Sequence, residues 1–286
     1  MKTKSIIYLA GLFILLFFFN ACDDNEPEID ASLGTFSLQF DHKVGDNALV
    51  LKDAGSTDYN YTTESGQQFN VSLFGYYVSK IKLEGPNGEL FEDEMNVSAN
   101  AAEVKGYYQV LEAVPSSSLI TLNNVPAGKY NKATFTIGIE EDGIAEGAAG
   151  GILDPAEGAW FWNWNAGYIG FRLEGTAVNS PAVPGPNSVQ NGFKIHIGGW
   201  KDVPAATPGG PVNFVNNMKQ ITIDFGTDIT VTESMEPNAH INVDIKKLLD
   251  EATVDFETTY AVHSPIKGQP IANKLSTAFI LDHVHQ

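Results

Sequence analysis

The sequence predicts an all-β fold, an antiparallel β-sandwich with long loops and one short helix. Three features carry that expectation. From Thr35 onward, short segments alternate apolar and polar residues, as strands with one buried face do. Clusters of Gly, Pro and Asn break these segments at close intervals, the punctuation of a sandwich. Helical spacing occurs in one place, Asp244 to Glu251, where Ile245, Leu248 and Leu249 share a face and Asp244 is placed to cap the first turn.

The elements follow in order. Phe36, Leu38, Phe40 and His42 share one parity against Ser37, Gln39 and Asp41, so His42 continues an apolar face. Asn70 to Leu83 is rich in Val, Tyr, Phe and Ile, and the turn residues from Glu84 to Glu89 fold it into a hairpin with Leu90-Phe91. Val125 to Tyr130 reads as the turn entering a strand over Lys132 to Ile139, after a strand at Leu119 to Leu122. Further strands are expected at Ile169 to Leu173, Phe193 to Ile197, Gln220 to Phe225, Ile229 to Thr232, His240 to Val243 and Phe279 to His285. Two long loops, Glu141 to Gly158 and Thr176 to Gly192, are of the kind that carries function or moves. With no internal repeat, residues 35–286 are expected to form one domain.

The N-terminus has a different character. Two lysines among residues 1–4, an apolar run from Ile6 to Phe19 and Asn20-Ala21-Cys22 make residues 1–21 a lipoprotein signal peptide, too short to span a membrane and cleaved before the chain's one cysteine. Cys22 is then the lipidation site, the protein's only contact with a bilayer. Residues 22–34 form an acidic tether, and Asp23-Asp24-Asn25-Glu26-Pro27-Glu28 resembles the surface-export signal of Bacteroidetes lipoproteins. The expected location is the cell envelope, at the outer membrane. A formal net charge of −18, deepened by losing Lys2 and Lys4, excludes nucleic acid as a partner. With Cys22 lipidated no thiolate remains, so a metal would take His, carboxylate, Met or a modified side chain.

Candidate chemistry concentrates in aromatics and histidines. Three of the four tryptophans lie within Trp160-Phe161-Trp162-Asn163-Trp164, more indole than packing alone requires. His283 and His285 lie two apart in a strand on the parity of Phe279 and Leu281, and neighbours of this kind can converge on one metal. His42 ends its apolar run, and His196 sits in a strand closed by Gly198-Gly199. His240 and His263 have generic settings and read as structural. Glu140-Glu141-Asp142 reads as solvent-facing or a weak calcium site. No nucleophile elbow, phosphate loop, zinc-protease helix or dinucleotide fingerprint is present, so no enzyme is expected.

Taken in order, these segments resemble the MbnP-like copper-binding proteins, in their Bacteroidetes-type lipoprotein branch. The resemblance rests on Phe40-Asp41-His42, Tyr76-Tyr77-Val78-Ser79-Lys80-Ile81, Thr136-Ile137-Gly138-Ile139 and Trp162-Asn163-Trp164-Asn165-Ala166-Gly167-Tyr168 with Glu174-Gly175. It also rests on Phe193-Lys194-Ile195-His196-Ile197-Gly198 and the terminal Asp282-His283-Val284-His285. It implies copper held by histidines from distant strands, His42 and His196 matching best, with His283 and His285 as the terminal motif. It also implies that a tryptophan, Trp162 or Trp164, is oxidised to kynurenine by a diheme MauG-like partner. Similar members often carry a methionine where this chain has Ala159-Trp160, which implies a weaker copper site or one preferring copper(II). The expected function is extracytoplasmic copper sequestration or delivery. The alternative is a glycan-binding surface lipoprotein, which needs Trp160 or Trp162 exposed as a platform; a purely structural surface domain is the third reading.

Overall fold

Alternation in the first strand decides which way the sandwich faces: Phe36, Leu38 and Phe40 are fully buried while Ser37, Gln39 and Asp41 are not. The computed structural model describes residues 32–145, 149–203 and 214–286. The expected signal peptide, Cys22 and the tether through residue 31 lie outside the described residues. The strands in chain order begin with β1 (Leu33–Val44), β2 (Asn47–Ala48), β3 (Tyr61–Thr62), β4 (Gln68–Glu84) and β5 (Leu90–Glu92). They continue with β6 (Tyr107–Leu111), β7 (Leu119–Pro126), β8 (Gly128–Ile137), β9 (Phe161–Asn163) and β10 (Gly167–Ala177). The last five are β11 (Gly192–Gly198), β12 (Lys219–Val231), β13 (Asn238–Asp244), β14 (Ala261–Val262) and β15 (Phe279–His285).

Two sheets result. The first runs β15-β13-β1-β2, with β7 also on β1; the second runs β12-β8-β4-β10-β11-β14, with β3, β5 and β6 on β4 and β9 on β10. The all-β sandwich is as expected, but the sheets are mixed rather than wholly antiparallel: β1 pairs β13 in parallel, and β11 pairs β14 in parallel. Alternation has the same period in either direction, so the pattern could not reveal this. Between the sheets Phe40 meets the rings of Phe135, Tyr76 and Phe279 edge-on at 5.4, 5.9 and 6.4 Å. Each fully buried Phe stabilises by about 1.5–3 kcal/mol.

Local chemistry explains most element boundaries. The β4–β5 hairpin closes as expected, with Leu83 opposite Phe91 and Gly85 N–H donating to Glu89 C=O at 2.9 Å. The two strands expected around Gly226 are one, β12, bent by a register shift between Asp224 and Ile229. Helix α1 covers Glu141–Ala145, and α2 covers Ile245–Glu251, capped by Asp244, whose carboxylate accepts from Lys247 N–H. Among the described residues α1, α3 (Pro265–Ala272) and α4 (Leu275–Ala278) join α2, the one helix expected, and α1 opens the segment expected to be a long loop. Gly268 and Pro270 make α3 read as loop; tertiary packing overrides that local weakness.

In β15 the pairing to β13 shifts register: Leu281 faces Ile241 but His283 faces His240, leaving Asp282 as the extra residue of a bulge. Leu281 and Val284 both pack on the core, so parity changes at Asp282, and His283 and His285 do not share the face of Phe279 and Leu281. Both are exposed.

The second sheet is buried on both faces around β4, β10 and β11, whereas β12 alternates buried and exposed residues. Its outer face carries a smaller core of Tyr77, Tyr107, Ile139, Ile144, Leu153 and Tyr168, with Trp160, Phe161 and Trp200 packed against it. Burial on both sides is why Tyr76-Tyr77-Val78 reads as a continuous apolar run. Phenol groups fasten this covering layer. The Tyr77 hydroxyl accepts from Trp160 N–H and Gln109 Nε2 and donates to Ile152 C=O, while Tyr168 donates to Leu153 C=O at 2.6 Å. Tyr77→Phe is expected to cost about 1–3 kcal/mol in denaturant unfolding and to raise hydrogen exchange at the Trp160 amide. An unchanged midpoint with Trp160 still protected would remove the fastening role.

Candidate metal centre

Residues paired across β10 and β11 share a sheet face, and Arg172 pairs with His196 while Glu174 pairs with Lys194. Ile195 and Ile197 point into the inter-sheet core, so this charged row points the other way, toward the tryptophan-bearing cover. His196 is nevertheless buried, at 4% exposure. Its Nε2 lies 2.8 Å from Glu174 Oε1, which also accepts from Arg172 Nε at 2.7 Å and Nη2 at 2.6 Å. Burial pushes the Glu174 carboxyl up, but the hydrogen bond from His196 and the Arg172 guanidinium outweigh it and hold the group at about 2. An ionised carboxylate only accepts, so His196 donates from Nε2, and in the neutral ring its Nδ1 presents a lone pair.

That lone pair faces another histidine. β14 runs parallel beside β11, with Val262 level with Ile195, which sets His263 next to His196. Ser264 then caps α3 by accepting from Lys267 N–H, turning the chain away. His263 Nδ1 lies 2.8 Å from His196 Nδ1, with ring centroids 4.8 Å apart. Burial, and then the neighbouring His196 and Lys194, lower the His263 pKa and keep its imidazole neutral. Two metal-bound imidazole nitrogens at right angles, each about 2.0–2.1 Å from the ion, would stand about 2.8–3.0 Å apart. The pair therefore fits a metal in place of the shared proton.

Trp162 closes this site. Its ring meets the His263 ring at 5.3 Å, and its Nε1 is buried with no hydrogen-bond partner among the described residues. Gly198 makes room: a Cβ there would stand 2.5 Å from Tyr168 O and 2.9 Å from the Trp162 ring. Trp160 instead packs on Tyr77 at 5.9 Å and carries the Arg172 guanidinium at 5.1 Å. Trp164 is 55% exposed and leans on Phe161 at 4.9 Å.

The four histidines singled out as ligands do not form one constellation. The His42 side chain is 2% exposed, edge-on to Phe74 and Tyr76 on the inner face of the second sheet, opposite the face that carries His196. Both its nitrogens are engaged, Nδ1 with Glu112 at 2.8 Å and Nε2 with the Tyr76 hydroxyl at 3.0 Å. Burial, and then the Glu112 and Asp41 charges, raise the Tyr76 pKa, so the phenol keeps its proton and donates it. His283 and His285 lie on the other sheet, where His240 joins them. His240 and His263, read as structural from sequence, are thus each brought against another histidine. For His263 no local pattern signals this, because the neighbour comes from strand pairing alone.

Glu174→Gln is expected to destabilise the protein at pH 7. The unfolded carboxyl titrates near 4.5 and the folded one at about 2, so the stabilisation is complete above pH 4.5 and fades as pH falls toward 2. Denaturation midpoints of the two proteins should converge over that interval; a gap constant from pH 7 to 3 would contradict the assignment. Gly198→Ala is expected to push Trp162 off His263, seen as a shift of its indole fluorescence, while secondary structure persists. Unchanged emission would show that the ring does not depend on that glycine.

No curated protein matches the chain. The solved structure of MbnP from Methylosinus trichosporium is similar to it at 13% identity, covering 77% of this chain and 78% of that one, with a TM-score of 0.47. A protein-family profile described as MbnP matches residues 33–265, a span that holds His42, Trp162, His196, His240 and His263 and stops short of His283. This chain belongs to the MbnP family.

Proposed function

We propose that the protein is an extracytoplasmic copper-binding lipoprotein, anchored through Cys22 at the outer membrane, that sequesters or delivers copper without turnover. Family membership supports a copper-associated role. The observation that carries the reading is the 2.8 Å approach of the His196 and His263 Nδ1 atoms, with Glu174 fixing the tautomer of His196. A carboxylate behind a ligating imidazole raises its basicity and holds its ring in place. His42 keeps an interior packing role in this reading.

Trp162 is the indole we assign to oxidation by a diheme MauG-like partner. Its buried, unpartnered Nε1 beside His263 supports that choice, whereas Trp164 is exposed. Kynurenine would supply an aromatic amine and a ketone next to the two imidazoles. The glycan reading has weaker support, because Trp160 and Trp162 are both half-buried and present no shared flat platform.

Copper that survives dialysis against a weak competitor such as glycine should fall by one equivalent from the unsubstituted protein to His196→Ala/His263→Ala. A copper content unchanged in that variant would sink the site. Peptide mass analysis of protein from the native host should find the oxidation on Trp162; an unmodified Trp162 peptide with the partner expressed removes that part of the proposal.

A further inference from the structure

Three of the chain's six histidines meet on the outer face of the first sheet, on residues the copper centre does not use. His240 on β13 faces His283 on β15, and His285 faces Asn238. One ring nitrogen from each histidine lies within 4.8 Å of the others. The His240 and His283 rings stack at 4.5 Å and 10°, and His285 stands edge-on to both at 5.1 and 4.6 Å.

The convergence depends on the bulge. Were the register of Phe279 to Leu281 continued, His240 would face Asp282, and His283 would fall level with the buried Ala239. The extra residue carries both terminal histidines to the outer face. Re-aiming side chains is a common role of bulges beside functional sites.

The carboxylates around the cluster set its tautomers. Asp41 Oδ2 lies 2.7 Å from His240 Nδ1, and Asp282 Oδ2 lies 2.6 Å from His283 Nδ1. Each carboxylate accepts, so both Nδ1 atoms carry hydrogen, and in the neutral rings both Nε2 atoms keep lone pairs for an ion. His283 Nε2 is 3.0 Å from His285 Nε2, and His240 Nε2 has only Asn238 Nδ2 at 3.4 Å. Nitrogens bound tetrahedrally to one ion stand about 3.3–3.4 Å apart, so small side-chain rotations suffice.

We propose that His240, His283 and His285 form a second metal site, which takes a divalent transition-metal ion through three imidazole nitrogens, with water in the open position. Imidazole donors select against calcium and magnesium, and copper(II) binds ahead of zinc(II). Asp41 and Asp282 are its positioning residues. The His283 side chain is 46% exposed, so the ion exchanges freely with solvent. The site shares no residue with the His196 centre, and His283 and His285 lie beyond the family match.

Chelator-stripped full-length protein in detergent, titrated with copper(II) and with zinc(II), tests this, with electron paramagnetic resonance of the copper form as a second readout. His283→Ala/His285→Ala should lose one equivalent of either metal and the associated imidazole-nitrogen couplings, while His196→Ala/His263→Ala keeps them. Asp41→Asn should weaken the site about 10–100-fold. Unchanged stoichiometry and affinity in His283→Ala/His285→Ala would overturn the proposal. So would loss of all metal from His196→Ala/His263→Ala alone, a result that leaves the copper centre standing.

Discussion

A sheet that must bury both of its faces governs this molecule. The inner face of the β4–β10–β11 region meets the opposing sheet through Phe74, Tyr76 and Phe171, and the outer face is capped by aromatic loops. Burying an ordinary polar outer face would strand charges in a dry environment. Here the charges on that face neutralise one another, with Glu174 accepting from His196 and Arg172, and Arg172 covered by the Trp160 ring. The charged row is tolerable only as a connected set. Its one open valence is the His196 nitrogen, and His263 fills it.

The tryptophan run has three separate environments as a result. Trp160 seals the outer core against Tyr77, Trp162 covers the histidine pair, and Trp164 reaches solvent. Successive residues of the short β9 strand point to opposite sides, which parts Trp162 from Phe161. Phe161 joins Tyr168 at 5.0 Å in the outer core. An apparent surplus of indole thus divides into packing, site wall and surface.

Much of the fold was legible because local rules and tertiary demands coincide. The alternation of Phe36, Leu38 and Phe40, the Glu84–Glu89 turn and the Asp244 cap all express chemistry confined to neighbouring residues. Strand direction, the Asp282 bulge and α3 are different. Parallel pairing of β1 with β13 leaves no mark on either strand's own pattern, and a one-residue bulge inverts the facing of everything beyond it. That inversion is why His283 and His285 seemed to lie with Leu281. Within the site, His196, Trp162 and the terminal pair could be singled out by sequence, but their partners His263 and His240 arrive from other strands.

The parallel pairing of β1 with β13 also bears on how the chain reaches this state. Asp41 and His240, joined across that seam, are 199 residues apart in sequence. Contacts over such separations form slowly, because long loops must close before any pairing rewards them. β13 bridges β1 and β15, so the first sheet has no continuous centre until the two distant segments meet. The second sheet, built largely on the β4 hairpin and its neighbours, has shorter closures available. Among the paired strands, the pairing that completes the sheet carrying the three converging histidines is therefore the one with the longest loop to close.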